Sequence, residues 1–330
     1  MKEIVPGIYQ ITMPTPFAVG DVHAYLLWGE PLTLVDTGLF YPPSQRALAA
    51  ALAEVGVAPS DLEQIVLTHS HLDHFGQARW LQQAGGATVL AHPTACSKIA
   101  DLPAFVNHAI AWAGDMLTAA GLPEDHHSLV HTFYGIIPQL AQNVTVQRCL
   151  DEGDTLEAGG QQWQVHFFPG HAGDLITLWQ PETGILLGND HLLAQISSNA
   201  LLEPPRPGER DRRLSLIQYW DSLDRLEAMP LTSILPGHGP VIIDHRSLLV
   251  ERRDRRDRRL TRIEALLEES PRTVWQIAES LFPKLDQADF FLGISEIVGH
   301  LDMLLAQDRV SVLEGEGPVR YVKTGKSGNL

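Results

Sequence analysis

Thr68-His69-Ser70-His71-Leu72-Asp73-His74 is the stretch that decides how this chain folds. His69 to His74 carry three imidazoles and one carboxylate in the pattern H-x-H-x-D-H. Just before it, Gln64-Ile65-Val66-Leu67 has the apolar run of a short buried strand. Just after it, Phe75 to Gln83 has helical spacing and closes on Gly85 and Gly86. The motif thus occupies a strand-to-helix loop at the carboxyl end of a strand, where open α/β sheets place their sites. Histidine is the commonest metal ligand, and zinc takes His nitrogen and Asp oxygen at about 2.0–2.2 Å. In an extended loop His69 and His71 point to one side and can chelate one ion. Asp73 and His74 lie past the bend and can face a second. The spacing suits two metals better than one, and a His-rich surface loop would not need the flanking strand and helix.

His69, His71, Asp73 and His74 resemble the signature of the metallo-β-lactamase-fold hydrolases. Three further stretches resemble that family's downstream motifs, in order: Phe168-Pro169-Gly170-His171-Ala172-Gly173-Asp174, Leu186-Leu187-Gly188-Asn189-Asp190-His191 and Ile234-Leu235-Pro236-Gly237-His238-Gly239-Pro240. The resemblance implies that His171 completes the first metal's histidines, Asp190 bridges two metals, and His238 joins the second. It implies a second-sphere role for Asp36, which holds the ligand loop from beneath, since a ligating side chain needs an outer partner to fix its orientation. One departure is visible. Relatives often carry a second His four residues after the one matching His171, and here that position is Leu175. That His is not a metal ligand in the family pattern, and Asp174 is a candidate replacement for its contact.

The implied fold is an α/β, four-layer αβ/βα metallo-β-lactamase sandwich over residues 1–245. It carries a helical insertion at about 94–142 and a small winged-helix-like C-terminal domain over 246–330. Between the first two motifs, residues 94–142 lose strand alternation and divide into helices at Thr94–Ala100, Ala104–Ala120, Pro123–His131 and Tyr134–Ala141. Such an insertion beside the metal loop makes a lid or a substrate wall. Phe133 or Tyr134 is the expected substrate contact, with His126 and His127 solvated. His92 reads as a strand-end side chain facing the core or the rim of the site. His191 reads equally as a substrate contact or as packing. Short strands follow at Val144–Gln147, Thr155–Ala158, Gln162–Phe168, Leu175–Trp179 and Gly184–Leu187, then a helix over Asp211–Leu226.

The C-terminal segment begins with the run Glu251-Arg252-Arg253-Asp254-Arg255-Arg256-Asp257-Arg258-Arg259 on a helix from about Asp244 to Glu269. Its charges can pair at i,i+3 and i,i+4, so a solvated face with internal ion pairs is expected. Helices at Thr273–Leu281 and Gly293–Gln307 and a hairpin of Arg309–Leu313 with Val319–Val322 complete the winged-helix-like order. Such domains occur in one branch of the resembled family, which includes single-strand RNA endonucleases. Glu296 and Asp302 on the third helix favour packing, at the active site or a homodimer interface, over nucleic-acid contact.

Composition bounds the partners. The chain has 330 residues, 44% hydrophobic and 19% charged, with a formal net charge of −16. That balance opposes bulk attraction to nucleic acid or an anionic membrane. No apolar run reaches the roughly 18–20 residues of a membrane span, and Met1 to Tyr9 lacks a signal-peptide shape, so a cytoplasmic protein is expected. Cys96 and Cys149 provide no disulfide framework and read as buried small hydrophobes.

These readings combine into a dinuclear metal-dependent hydrolase acting on a small molecule. Two divalent ions, Zn2+ by resemblance with Fe or Mn also compatible, would lower the pKa of a bound water from 15.7 toward about 7 and supply hydroxide. Asp73 would ligate one ion, orient the attacking water and help protonate the leaving group, which makes it the expected catalytic residue. A thioester or ester substrate of the glyoxalase II type is the first reading. The lactonases' Tyr after the bridging Asp is absent from His191-Leu192-Leu193-Ala194, and no basic cluster matches a glutathione-specific site. A nuclease acting on single-stranded RNA or another phosphodiester is the alternative. A non-enzymatic nucleic-acid-binding regulator on the same fold is a third reading, which a complete ligand set opposes.

Overall fold

The structure, a computed structural model, describes residues 1–123, 128–206, 208–283, 290–313 and 315–325. The expected solvation of His126 and His127 lies outside the described residues. Seven strands in sequence order form the first sheet: β1 (Lys2–Val5), β2 (Ile8–Met13), β3 (Val22–Leu27), β4 (Thr33–Val35), β5 (Gln64–Val66), β6 (Thr88–Ala91) and β7 (Arg148–Cys149). Pairing is antiparallel from β1 to β4 and parallel from β4 to β7. Helices α1 (Pro42–Glu54), α2 (Leu72–Phe75), α3 (Ala78–Gly85) and α4 (Pro93–Ala100) serve the crossovers, and α5 (Leu102–Ala119), α6 (Ser128–Gly135) and α7 (Ile137–Leu140) fill the insertion. The second sheet has the order β12-β11-β10-β9-β8, built from β8 (Thr155–Ala158), β9 (Gln161–Phe167), β10 (Ile176–Gln180), β11 (Ile185–Asn189) and β12 (Ser233–Pro236), with α8 (Ser215–Ala228) between the last two.

Side-chain alternation makes these into four layers. In β3, Val22, Ala24 and Leu26 face the α1, α3 and α4 side, where Leu48, Leu52, Leu81 and Ile99 are buried with them. Tyr25 and Leu27 point the other way and meet Trp163, Val165, Ile176, Leu178 and Leu235 of the second sheet. A period of two thus sends one strand into two separate cores. The outer face of the second sheet is covered by α8, and this third apolar layer runs on without a break into the insertion and the C-terminal segment. Each such buried aliphatic or aromatic side chain contributes about 1.5–3 kcal/mol relative to exposure.

The C-terminal segment comprises α9 (His245–Glu269), β13 (Arg272–Thr273), α10 (Val274–Leu281), α11 (Phe290–Ala306), β14 (Val310–Leu313) and β15 (Arg320–Lys323), with a three-stranded antiparallel sheet in the order β13-β15-β14. Thr273 and Gln276 form a reciprocal cap at the start of α10. The insertion is bonded to this segment through the backbone: Val319 N–H donates to Ala119 O (2.8 Å) and Trp275 N–H to Ala120 O (3.0 Å).

Four expectations change. The helix expected from Phe75 begins at Leu72, inside the motif, and is interrupted at Gly76-Gln77. A Cβ at Gly76 would lie 2.6 Å from Leu72 O and 2.7 Å from both Leu140 O and Phe40 N, so the close packing of three backbones sets the break. Val144–Gln147 forms no strand; β7 follows it at Arg148. Cys149 is exposed and Cys96 half-buried, not core hydrophobes, because β7 is the edge of its sheet. The arginine run is a self-paired solvated face only in part. Arg255 pairs with Glu251 on the same helix, but Arg253 reaches Glu227 and Asp224 of α8, Arg256 covers the Trp220 ring, and Arg252 is 6% exposed.

Leu223 of α8 is fully buried in the layer shared by the second sheet, the insertion and the C-terminal segment. Leu223→Ala is expected to destabilise the fold by about 2–5 kcal/mol, read as a lower urea midpoint at unchanged slope.

Candidate metal centre

The carboxyl ends of strands from both sheets meet at one edge. Asp36 follows β4, His69 to His74 follow β5, His171 lies between β9 and β10, Asp190 follows β11 and His238 follows β12. Two of these strand ends turn sharply: Asp36 has φ 60° and Asn189 φ 42°. Asp and Asn are the non-glycine residues that tolerate this left-handed region best.

All seven expected ligands come together. His69 Nε2 and His171 Nε2 lie 3.0 and 2.9 Å from His71 Nδ1. His238 Nε2 is 3.4 Å from Asp73 Oδ2, and His74 Nε2 is 4.0 Å from Asp73 Oδ1. Asp190 Oδ2 joins the two groups, at 3.6 Å from His171, 3.4 Å from His74 and 3.5 Å from His238. Donor atoms about 2.0–2.2 Å from one ion in a tetrahedron are about 3.3–3.6 Å apart. His69, His71 and His171 could therefore hold one metal ion, and Asp73, His74 and His238 another.

Hydrogen bonding fixes which nitrogen faces inward in four of the five rings. His171 Nδ1 donates to Asn199 O (2.8 Å) and His238 Nδ1 to Asp21 O (2.8 Å), because a carbonyl only accepts. Asp36 is fully buried; its Oδ1 accepts Thr68 N–H (2.8 Å), and its Oδ2 accepts both the Thr68 hydroxyl (2.7 Å) and His74 Nδ1 (2.7 Å). The Thr68 hydroxyl proton is spent on Asp36, so its oxygen accepts from His69 Nδ1 (3.1 Å). With all four rings neutral, the state that metal binding requires, four Nε2 lone pairs would be aimed at the centre. Asp36, His69 and His74 also lie within ligating distance of one another, but Asp36 is committed behind the imidazoles.

The electrostatics call for cations. Burial and the neighbouring imidazoles push His69 well below its ordinary value, burial with His171 and Lys98 takes His71 down to about 3, and burial lowers His171, so these three rings are neutral donors. Burial opposes charge on His238, yet Asp190 and Asp73 overcome it and hold its pKa up at about 10. Burial disfavours the Asp73 carboxylate, but His74 and His238 keep it down at about 2. Two buried carboxylates thus draw positive charge to this point. His74 Nε2 is buried without a hydrogen-bond partner, as a metal-ligand atom would be. The donor set fits a pair of divalent ions.

Several supports had no sequence signature. Ser198 Oγ is 2.9 Å from His171 Nδ1 and donates to Asp190 O. Arg252 Nη2, from α9, donates to Leu193 O (2.9 Å), Ala194 O (3.1 Å) and Ile196 O (2.9 Å), and so holds the loop that carries Ser198. Asp174, by contrast, is the candidate contact beside Leu175, and its Oδ1 accepts Ser70 N–H (3.3 Å) from the ligand loop. His92 stacks on Phe167 with centroids 4.1 Å apart and caps α4, outside both ligand groups. His191 is buried against Phe168 and Tyr219, a packing role. Phe133 and Tyr134 do not reach the cavity by the site; they pack on Phe291, since α11 takes up the apolar face of α6. Phe105 lines that cavity instead.

The sequence pattern of the metallo-beta-lactamase superfamily matches residues 18–238. A probable metallo-hydrolase of Bacillus subtilis strain 168 is 36% identical over 97% of this chain and 98% of its own. Among solved structures, a metallo-beta-lactamase family protein of Thermus thermophilus superposes with a TM-score of 0.81 at 30% identity, over 97% of this chain and 100% of that one. A beta-lactamase domain protein of Burkholderia ambifaria gives 0.83 at 25% identity, over 98% and 94%. The chain belongs to the metallo-beta-lactamase superfamily, which places it among metallo-hydrolases. Among the described residues, no helix is long and apolar enough to cross a membrane.

A Cβ at Gly237 would lie 2.1 Å from Asp190 Oδ1 and 2.8 Å from His74 Cε1. Gly237→Ala is expected to reduce bound divalent metal to less than half of the wild-type stoichiometry, measured by elemental analysis after dialysis. Asp36→Asn keeps the shape but removes the charge behind His74, and is expected to weaken metal affinity about 10–100-fold in competition with a chromophoric chelator.

Proposed function

We propose that the protein is a dinuclear metal-dependent hydrolase acting on a thioester or ester of a small molecule. The observation that carries it is the position of Asp190 Oδ2, within 3.4–3.6 Å of imidazole nitrogens from both ligand groups. In this reading His69, His71 and His171 would hold one ion and Asp73, His74 and His238 the other, with the Asp190 carboxylate placed between the two groups. Divalent ions held there, Zn2+ by resemblance to the family, would supply Lewis acidity and would lower the pKa of a water from 15.7 toward about 7. Asp73 would orient the attacking water by accepting its hydrogen bond; its side chain is 13% exposed. Its low pKa keeps it anionic for that task.

The cavity next to the centre supports a small substrate. It measures about 290 Å3 and shares Gly173 and Asp174 with the His171 loop. Its wall mixes Phe105, Pro204 and Pro205 with Lys98, Arg206 and Arg213, a lining for a short acyl group with a polar end. Lys98 pairs with Glu203 (2.9 Å), and Glu203 accepts Gly173 N–H (2.8 Å), which ties the wall to the His171 loop. The C-terminal helices, read as part of a winged-helix-like unit, meet the chain next to this wall, where Leu202 N–H donates to Ser295 Oγ (3.2 Å). Their third helix does not suit a nucleic-acid groove: α11 is buried from Phe290 through Leu304 with few exceptions, and Asp302 accepts both guanidinium nitrogens of Arg212.

The test is a panel of thioesters, esters, lactones and phosphodiesters assayed with the metal-loaded protein and with Asp73→Ala. Turnover is expected to be highest on a thioester or ester and to fall about 100-fold or more in the variant. Higher turnover on a phosphodiester, or no loss in the variant, overturns the reading.

A further inference from the structure

We propose that Cys96 and Cys149 form a reversible dithiol–disulfide site, oxidised by low-molecular-weight disulfides, that staples the helical insertion to the edge of the first sheet. The two sulfurs are 3.7 Å apart, although 53 positions separate them in sequence. Both backbones are held. Cys149 pairs with Ala91 in the parallel ladder of β6 and β7, and the next residue, Leu150, donates to Ala91 O (2.9 Å). Cys96 sits in the first half of α4, whose start is capped by the His92 side chain. Closing the sulfurs to the 2.03–2.05 Å typical of a disulfide requires them to approach by about 1.7 Å.

The two thiols have different roles. Cys149 is exposed on an edge strand, open to a reagent from solvent. Cys96 is half-buried, and burial together with the neighbouring Cys149 pushes its thiol up to about 11. Cys149 as thiolate attacks one sulfur of the small disulfide; that S–S bond breaks and one small thiol leaves with a proton from solvent. Cys96 then loses its proton and attacks Cys149 Sγ, releasing the second small thiol. The protein's two thiols are oxidised, and one external disulfide is reduced to two thiols.

The resulting covalent loop encloses α5, α6 and α7. Lys98 lies two residues beyond Cys96 on α4 and pairs with Glu203 at the cavity wall. Oxidation therefore fixes the base of the element that shapes the cavity. The idea is independent of the metal chemistry.

The experiment incubates the whole protein with oxidised glutathione, then counts free thiols and maps peptides under non-reducing conditions. Wild type is expected to lose both thiols to an internal Cys96–Cys149 link and to gain about 5 °C in Tm, reversed by dithiothreitol. Cys96→Ser is expected to stop as a glutathione mixed disulfide on Cys149. Cys149→Ser is expected to react about 10-fold or more slowly. A wild-type product that stays a mixed disulfide, links two chains, or keeps both thiols free overturns the proposal.

Discussion

The orientation of four imidazole rings is the constraint on which this site depends. Each ring has one proton held by an acceptor behind it: Asp36 for His74, the Thr68 oxygen for His69, and the carbonyls of Asn199 and Asp21 for His171 and His238. Were any of these acceptors lost, the ring could turn or change tautomer, and a lone pair would be replaced by an N–H pointing at its neighbours. Those acceptors come from four separate parts of the chain. The shell that surrounds the centre is therefore as much a product of the fold as the centre itself.

The fold delivers these parts because two sheets end at the same edge. The first sheet brings the H-x-H-x-D-H loop over Asp36, and the second brings the turns after β9, β11 and β12. Neither sheet carries a full complement alone. The Nε2 atoms around Asp190 Oδ2 belong to loops from both, so any cation held there would join the two halves of the sandwich and favour the folded chain over the unfolded one. Arg252 extends the same logic outward: one guanidinium nitrogen from α9 gathers three carbonyls of the loop between Asp190 and Ser198.

What could be read from the sequence was what is locally dense. Three imidazoles and a carboxylate within His69 to His74, and the Gly-His and Asn-Asp-His turns downstream, announce themselves because metal chemistry concentrates unusual residues in short windows. The strand Thr155–Ala158 was legible through alternation bounded by polar turns. Supports supplied by backbone were not legible, since the carbonyls of Asp21 and Asn199 are the same atoms in every residue type. Arg252 was one arginine in a run, and only the loop packed against it distinguishes it from Arg255 on the same helix. Helical spacing ran through Gly76, but the approach of Leu140 and Phe40 that breaks the helix there comes from elsewhere in the chain. The thiols of Cys96 and Cys149 looked like core filler because sequence does not reveal that β7 is an edge.

The insertion could have been a flap over the site or a wall beside it, and its junction with the C-terminal strands distinguishes the two. Ala119 and Ala120, at the end of α5, accept backbone hydrogen bonds from Val319 and Trp275, and the apolar layer passes from Val106 and Leu117 to Ile277 and Ile297 without a gap. A segment anchored in this way does not swing on a hinge. If the cavity beside the centre receives the substrate proposed above, that substrate would enter through an opening already present, and selection would rest on fit to a fixed mould rather than on closure around whatever has bound.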